Sequence, residues 1–203
     1  MLNRQKGFSL IELMLAFLLG SVLLTMVISL YVTGVSTGGK SLKYSRLRTD
    51  LLSIMAIMKT DIRRAGYGGS DFLVGSGGIK TVDSFNNARS SCIVYSYNHN
   101  SAAVITDTNR MGFRLVADKN EVQFGSGVDP LATNCYSKGR WTALSDKGFI
   151  KITELLFTES VVSGATATLR SVEIKLSGEL VSDSRYKHSV DSRVQVRNIE
   201  LAH

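Results

Sequence analysis

The most constraining feature of this sequence is a long apolar run over residues 8–32, which begins close to the N-terminus. At about 1.5 Å per residue, an α-helix of this length spans roughly 37 Å, enough to cross a bilayer core of about 30 Å. A secretory signal peptide has its small-residue cleavage site after the apolar stretch. In this sequence the small residue, Gly7, precedes the apolar stretch. Gly7 itself follows a short segment that contains two basic residues, Arg4 and Lys6. Cleavage after Gly7 would remove the polar segment and keep the membrane helix.

Glu12 is a carboxylate inside this apolar run. An acidic residue at the centre of a membrane helix costs about 2.5–3.5 kcal/mol, and less near an end. Near the helix N-terminus, part of that cost is offset because backbone N–H groups and the helix dipole favour a negative charge. If Phe8 carried a free amine, that amine would lie one helical turn away, on the same chain or on a neighbouring one. Glu12 therefore either neutralises the helix dipole or pairs with an amine.

The residues Lys6-Gly7-Phe8-Ser9-Leu10-Ile11-Glu12 and the apolar run behind them resemble the N-terminus of type IV prepilins. The resemblance implies that prepilin peptidase cleaves between Gly7 and Phe8 and methylates the Phe8 amine. It also implies that Glu12 pairs with the amine of a neighbouring subunit and sets its register. Residues 1–7 would be the leader and residues 8–32 the transmembrane and filament-core helix. An ordinary N-terminal anchor is the alternative.

Basic residues alone do not decide the orientation of this helix. Arg4 and Lys6 favour a cytoplasmic N-terminus, but Lys40 and Lys43 follow the apolar run closely. The prepilin resemblance implies an N-terminus in the cytoplasm and a head in the periplasm. It also implies that the protein moves from the inner membrane to the pilus and cell surface.

Residues 33–41 read Thr-Gly-Val-Ser-Thr-Gly-Gly-Lys-Ser and match both the nucleophile elbow and the P-loop. Each pattern requires a preceding β-strand, whereas a membrane helix precedes this stretch, so we interpret both matches as chance. Each Gly costs a helix up to about 1 kcal/mol relative to Ala. The stretch is therefore expected to be a weak point in a long helix.

Residues 42–65 show a helical pattern. One face carries the apolar residues Leu47, Leu51, Ile54, Met55, Met58, Ile62 and Ala65. The other is expected to carry the charged residues Arg48, Asp50, Asp61 and Arg64. Gly66 supplies a stop signal, so residues 33–66 are predicted to form an amphipathic helix that continues into the head. The phrase over residues 61–67, Asp-Ile-Arg-Arg-Ala-Gly-Tyr, resembles the end of this helix in W-type minor pilins, the PilW family.

Residues 67–203 are predicted to form a β-rich head. A glycine-rich loop opens it, and alternating stretches then predict strands over residues 93–97, 103–106, 113–117, 121–125, 149–157, 167–176 and 192–201. Such alternation suits an antiparallel sheet with one covered face. The predicted fold class is therefore α+β, with a long N-terminal helix packed on an antiparallel sheet. Residues 150–157 and 196–198 also resemble the heads of W-type pilins and J-type pseudopilins.

The two cysteines, Cys92 and Cys135, both lie beyond the membrane helix. In an oxidising periplasm a single pair allows only one connectivity. A Cys92–Cys135 disulfide would stabilise the head by roughly 4 kcal/mol in the chain-entropy model. Two unrelated buried thiols remain the alternative.

No enzyme motif in the sequence lies in the structural context that the motif requires. The histidines His99, His188 and His203 belong to no metal-spaced cluster, so we expect no enzymatic activity, no cofactor and no metal. The net charge is +7, and Arg193 and Arg197 share a face of the last predicted strand. Two arginines form a thin patch, so a nucleic-acid partner is not expected from the sequence.

The resemblance implies a W-type minor pilin that primes type IV pilus polymerisation at or near the pilus tip. Its expected partners are prepilin peptidase, other minor pilins, the major pilin, the inner-membrane assembly platform and the membrane. A J-type minor pseudopilin of a type II secretion system and a DNA-uptake pilin are the alternatives. The sequence does not separate twitching, adhesion and DNA uptake.

Overall fold

A computed structural model describes residues 7, 9–87, 91–101, 103–134, 136 and 138–201. It divides into two units, Met1–Lys43 and Tyr44–His203. One helix, α1, spans Leu10–Ile62 and runs from the first unit into the second. In the second unit this helix packs on an antiparallel β head, which confirms the predicted α+β class.

The glycine-rich stretch does not interrupt α1. Gly34, Gly38 and Gly39 all have helical backbone within Leu10–Ile62. Because helix formation is cooperative, the stable helical segments on both sides keep a few residues of low helix propensity in helical conformation. The expected weak point is therefore not visible as a break in the helix.

The predicted apolar face of residues 47–65 is confirmed, because all seven of its residues are buried, six of them in α1 and Ala65 in the turn that follows. Leu51 shows how closely the helix approaches the sheet behind it. A Cβ atom added to Gly178 would lie only 3.2 Å from the Leu51 Cδ2 atom. The absence of a side chain at Gly178 thus allows the helix to pack directly on the backbone of the strand.

The first sheet is a five-stranded antiparallel meander in which each strand pairs with its neighbours in sequence. Its strands are β1 (Val82–Phe85), β2 (Cys92–Ser96), β3 (Arg110–Val116), β4 (Glu121–Ser126) and β5 (Arg140–Ala143). The register places Phe113 opposite Phe124, with ring centroids 5.4 Å apart. Aromatic pairs of this kind add stability beyond the area they bury.

The second sheet contains three long strands and one short one. They are β6 (Ile150–Ser163), β7 (Ala167–Leu180), β8 (Asp183–Gln195) and β9 (Glu200–Leu201). The order is β6-β7-β8, and β9 pairs with the beginning of β7. Apolar side chains from α1 and from both sheets form one continuous buried cluster. The head therefore has a single main core, which the helix shares with both sheets.

Several strand predictions were incomplete or wrong. Residues 103–106 form no strand but lead into a 3-10 turn, Asp107–Asn109, where Thr106 and Asn109 form a capping box. The side chain of Thr106 forms a hydrogen bond with the nearby Asn109, and local bonds of this kind compete with the pairing of strands. The strands β1, β5 and most of β8 were missed. β5 and β8 lie largely at the surface, so they lack a strong apolar alternation.

The predicted strand over residues 192–201 is two strands separated by a crossing segment. β8 ends at Gln195, and the chain then turns toward the end of α1, where the Arg197 N–H donates to the Arg63 carbonyl at 3.1 Å. The Asn198 side chain donates to the Arg64 and Ala65 carbonyls at 3.2 and 2.8 Å. These bonds satisfy carbonyl groups that a helix end leaves without partners, and they take residues 196–199 out of the sheet.

Helix α1 ends at Ile62, a few residues before the predicted stop, and a turn carries the chain to Gly66. Gly66 has a φ of +74°, which L side chains rarely adopt. An added Cβ atom would also lie 2.8 Å from the Thr81 Cγ2 atom. Gly66 is therefore needed both for its backbone conformation and for the space it leaves.

Asp61 does not lie on an outward charged face as predicted. It is half-buried and accepts hydrogen bonds from the Tyr95 hydroxyl at 2.5 Å and from the Tyr97 hydroxyl at 2.8 Å. Burial and the Asp61 carboxylate together raise the pKa of Tyr95 well above 10.0 and raise the pKa of Tyr97. Both hydroxyls thus keep their protons at neutral pH and attach the end of α1 to β2 and to Tyr97, which follows it.

Candidate processing and assembly site

Gly7 is exposed at the start of the described chain, ahead of the helix. Among the described residues, no heavy atom lies within 4 Å of a Cβ atom built on Gly7. A small side chain would therefore fit the protein's own structure at this position. Phe8, the predicted methylation site, and residues 1–6 of the predicted leader lie outside the described residues.

Ser9 and Glu12 form the first turn of α1. The Leu13 N–H donates to the Ser9 carbonyl at 3.2 Å, which makes Ser9 the N-terminal cap of a helix that begins at Leu10. The Ser9 N–H in turn donates to Glu12 Oε2 at 3.4 Å. A Ser and a Glu in this relation are the residues of a capping box. Glu12 therefore has a local role, since it satisfies a backbone donor of its own chain.

This local bond leaves room for a second partner of Glu12. A carboxylate offers about four lone-pair sites on its two oxygens, and the structure occupies Oε2 with the Ser9 N–H. Glu12 is exposed, as is the whole first turn of α1. Helix capping and pairing with a neighbouring amine are therefore compatible at Glu12.

The first half of α1 exposes apolar side chains on all sides. Phe17 is 80% exposed and Leu30 is 75% exposed. Every side chain of α1 as far as Arg46 is exposed. By length and composition, α1 is thus apolar enough to cross a membrane. A helix that is apolar all round requires an apolar environment on every side.

The hydroxyl groups within this apolar half have partners inside the helix. Ser21 donates to the Leu18 carbonyl at 2.8 Å, Thr25 to the Ser21 carbonyl at 2.8 Å and Ser29 to the Thr25 carbonyl at 2.9 Å. Unsatisfied polar groups cost several kcal/mol in hydrocarbon. These internal bonds make the three hydroxyls compatible with a lipid or helix-bundle environment.

Cys92 is fully buried at the start of β2. Its sulfur lies 2.9 Å from the carbonyl oxygen of Ala132. Ala132 opens the 3-10 turn Ala132–Asn134, which directly precedes Cys135 in the sequence. Cys135 itself lies outside the described residues, so the disulfide stays a prediction.

Residues 33–41, which match two enzyme motifs, lie within helix α1. The stretch from Gly34 to Ser41, which matches the P-loop pattern, is α-helical throughout. A P-loop binds phosphate with the backbone of a loop that follows a strand, so this stretch cannot act as one. Within the described part of the chain, no three His, Cys, Asp or Glu side chains group to hold a metal.

Sequence reasoning missed an ionic cluster that holds the C-terminal strand. Arg170 donates from Nε and Nη2 to the two oxygens of Glu200 at 2.8 and 3.0 Å and from Nη1 to Glu159 at 2.7 Å. Thr81 donates to Glu200 at 2.6 Å through its backbone N–H, and Ser84 donates to Glu159 at 2.5 Å. We refer to these five residues as the arginine clasp. It joins β6, β7 and β9 of the second sheet to the first sheet.

The electrostatics of the clasp favour the ionised form of Glu200. Burial alone would raise its pKa, but hydrogen bonds from Arg170 and Thr81, together with the Arg170 charge, outweigh burial and lower the pKa. A buried charge that is fully hydrogen-bonded in this way is stable, whereas a broken pair is costly. No sequence pattern signals the clasp, since its members are spread between Thr81 and Glu200.

A processing motif, an apolar helical segment that is exposed among the described residues, and a helix packed on an antiparallel head together define a pilin-like protein. Comparison with known families agrees. The prokaryotic N-terminal methylation motif matches residues 2–28, and the family described as prepilin peptidase-dependent protein B matches residues 40–196. The chain therefore belongs to the prepilin peptidase-dependent protein B family. No curated protein and no solved structure matches it.

Membership of this family supports processing by prepilin peptidase and association with a membrane. It also supports a structural role as a component of a pilus or a pseudopilus. The prepilin resemblance recognised from residues 6–12 is thus confirmed at the level of the class.

Proposed function

We propose that this protein is a minor pilin of a type IV pilus, of the W type, which primes polymerisation at or near the pilus tip. The observation that carries the proposal is the combination of the Gly7–Glu12 motif with a helix exposed over residues 9–46. Before assembly, the helix would anchor the protein in the inner membrane with its head in the periplasm. After cleavage behind Gly7 it would enter the filament.

The physical argument concerns where the apolar half of α1 can go. Exposing it to water would cost tens of kcal/mol at about 25 cal/mol per Å². The helix can therefore leave the bilayer only for another apolar environment, such as a bundle of similar helices. Other minor pilins and the major pilin would supply that bundle, and an inner-membrane assembly platform would drive the transfer.

The presence of Glu12 in the apolar helix favours a role in assembly over a role in simple anchoring. A neighbouring methylated Phe8 amine would be a cation in the same apolar bundle, and Glu12 has lone pairs available beyond its bond to the Ser9 N–H. An ion pair between the two would compensate both charges and set the axial position of adjacent subunits.

A J-type minor pseudopilin of a type II secretion system is the second candidate, because it shares the anchor and a similar head. The phrase over residues 61–67 favours the pilin. In this structure, Asp61 attaches the helix end to Tyr95 and Tyr97 and Gly66 requires a positive φ. Residues 61–67 therefore include two residues that determine how the chain passes from the end of α1 into the head.

The processing step is tested with two substitutions at Gly7. We expect Gly7→Arg to leave full-length protein in the membrane and none in sheared pili. Gly7→Ala is the matched control, because the chain has space for a methyl group there, and it should still be processed. Intact mass of the wild-type mature protein should correspond to a chain that begins at methylated Phe8. A mature N-terminus at another residue would refute the prepilin assignment.

The choice between pilus and secretion system is tested by cross-linking the tagged full chain in cells. Recovery with other minor pilins in sheared filaments supports the pilin. Recovery only with secretion pseudopilins contradicts it.

A further inference from the structure

Five cationic side chains meet where the end of α1 contacts the segment behind β8. Lys59 lies in the last turn of α1, Arg63 and Arg64 lie in the turn that follows it, and Arg193 and Arg197 come from the C-terminal part of the chain. The hydrogen bond between the Arg197 N–H and the Arg63 carbonyl, at 3.1 Å, joins the two segments. We call these five residues the basic cleft. From the sequence, only Arg193 and Arg197 could be assigned to a common face.

The cleft consists of two adjoining depressions of about 430 and 550 Å³, which share Arg63, Arg64 and Arg197. None of the described side chains that line them is acidic. Tyr67, which is 61% exposed, and His99 stand in the larger depression. The surface is thus concave, cationic and bordered by an exposed aromatic ring.

The cleft cations differ from most of the other arginines of the head. Four of those arginines, Arg46, Arg110, Arg170 and Arg185, each form an ion pair with a carboxylate. A fifth, Arg114, donates to Gln123 and stacks on Tyr136 and Trp141 instead. Arg48 and Arg140 also form no ion pair among the described residues, but neither lines the cleft. Within the described residues, no ion pair involves any of the five cleft cations. Glu173 faces Arg193 across the β7–β8 ladder, and Arg193 also donates to Ser171, so Arg193 is the least available member. Bringing like charges together without counter-ions costs free energy, which an anionic ligand would recover.

We propose that the basic cleft binds the phosphodiester backbone of a nucleic acid strand. Arginine guanidinium groups present paired donors that match phosphate oxygens. Protein–protein interfaces centre on apolar anchors, whereas the side chains that line this cleft are mainly cationic or polar. The centre of this cleft is cationic instead, which is typical of nucleic-acid interfaces. Tyr67 provides a ring on which a base can stack. The proposal does not depend on the minor-pilin function.

Binding is tested with the full chain in a non-ionic detergent and a short fluorescent single-stranded oligonucleotide. Anisotropy is measured over a salt series from about 50 to 200 mM. The test variant is Arg63→Gln with Arg197→Gln, because these residues are exposed. The control is Lys147→Gln with Lys187→Gln, two exposed lysines outside the cleft whose loss changes net charge equally.

We expect the cleft variant to lower the affinity about ten-fold or more at low salt and the control to change it by less than about two-fold. Loss of two phosphate contacts should also reduce the slope of log affinity against log salt by about 1.4. Equal losses in both variants, or no binding by the wild-type protein, would overturn the proposal. A poly-glutamate peptide is titrated in parallel, and tighter binding of this peptide than of the oligonucleotide would assign the cleft to an acidic protein.

A second measurement requires no variant. Phenylglyoxal modifies accessible arginines, and bound oligonucleotide should protect Arg63, Arg64 and Arg197 but leave Arg185 reactive. Arg185 is exposed near the start of β8 and lies outside the cleft. Uniform protection, or none, would contradict binding at the cleft.

Discussion

At the residue scale, the structure makes the two roles that the sequence presented as alternatives for Glu12 compatible with each other. Its bond to the Ser9 N–H shows how a carboxylate is accommodated at the start of an apolar helix, because the helix N-terminus supplies donors that need an acceptor. The same group retains acceptor sites for a partner. A local cap and a contact between subunits can therefore be separated by substitution.

We expect Glu12→Gln and Glu12→Val to reduce incorporation into sheared filaments to a similar, large extent. Gln retains a side-chain acceptor for the Ser9 N–H but loses the charge, whereas Val loses both. A neighbouring ammonium left without its partner in an apolar bundle costs several kcal/mol. The measurement is the fraction of the protein in sheared filaments relative to its level in the membrane, with cleavage after Gly7 verified by mass. Normal incorporation of the Gln variant would show that Glu12 only caps the helix, a role worth at most about 1 kcal/mol.

Cys92 is the second residue whose environment bears on a prediction. It is fully buried, next to the turn that leads to Cys135. We expect non-reducing peptide mapping of the native protein to find the Cys92–Cys135 pair. Cys135→Ser should lower the free energy of unfolding of the head by roughly 4 kcal/mol. Recovery of two free thiols from that material, with alkylation before unfolding, would contradict the disulfide.

At the scale of elements, the short strand β9 is held mainly by the arginine clasp. β9 pairs with β7 through only two residue pairs, Ala167 with Leu201 and Thr168 with Glu200. So short a ladder has little stability of its own. The bonds of Glu200 to Arg170 and Thr81 therefore attach the C-terminal segment to both sheets.

The clasp predicts a pH dependence of stability. The pKa of Glu200 is lowered in the folded protein, so its contribution is complete above its unfolded pKa of about 4.3 and is lost as the pH falls through the folded value. We expect Glu200→Gln to destabilise the head at pH 7 on the order of 3 kcal/mol, because Arg170 loses a charged partner. The loss of Tm from about pH 5 to pH 3 should be smaller in this variant than in the wild type.

The matched control for the clasp is Glu173→Gln, which alters an exposed carboxylate on β7. It should leave both the Tm at pH 7 and its decline in acid close to those of the wild type. If Glu173→Gln and Glu200→Gln had the same acid profile, the clasp would not be the source of the pH dependence.

At the scale of the whole molecule, the two parts of α1 differ in how their residues are stabilised. Residues 9–46 of α1 are exposed, whereas Leu47, Leu51 and Met58 are fully buried in the head. Side chains in the core resist local opening because opening exposes apolar area. Residues 33–41 have only the intrinsic stability of a helix that contains three glycines.

We expect amide hydrogen exchange of the full chain in detergent to be faster over residues 33–41 than over residues 47–62. Replacing Gly34, Gly38 and Gly39 by Ala should slow exchange in the first segment by roughly five-fold per substitution, since each gains up to about 1 kcal/mol. The structure leaves space for all three methyl groups. Gly20→Ala, in the apolar half, is the control and should not alter exchange over residues 33–41. Equal protection of both segments in the wild type would show that the glycines create no weak point.

The features predicted correctly from the sequence depend on local patterns. The N-terminal methylation motif, the long apolar helix and the buried face of residues 47–65 follow from hydropathy and from the 3.6-residue period, which involve neighbours along one helix. These features identified the pilin class before any tertiary contact was considered. The strand predictions were weaker, because the exposed strands β5 and β8 carry no strong apolar alternation.

Only the tertiary structure decided the features that depend on contacts between distant segments. Asp61 lies half-buried because Tyr95 and Tyr97 stand beside it, and the strand predicted over residues 192–201 breaks because Asn198 caps the end of α1. The basic cleft likewise forms only when residues 59–64 meet residues 193–197. Local periodicity carries no information on which segments meet across more than a hundred positions, since that choice is made by packing around the shared core.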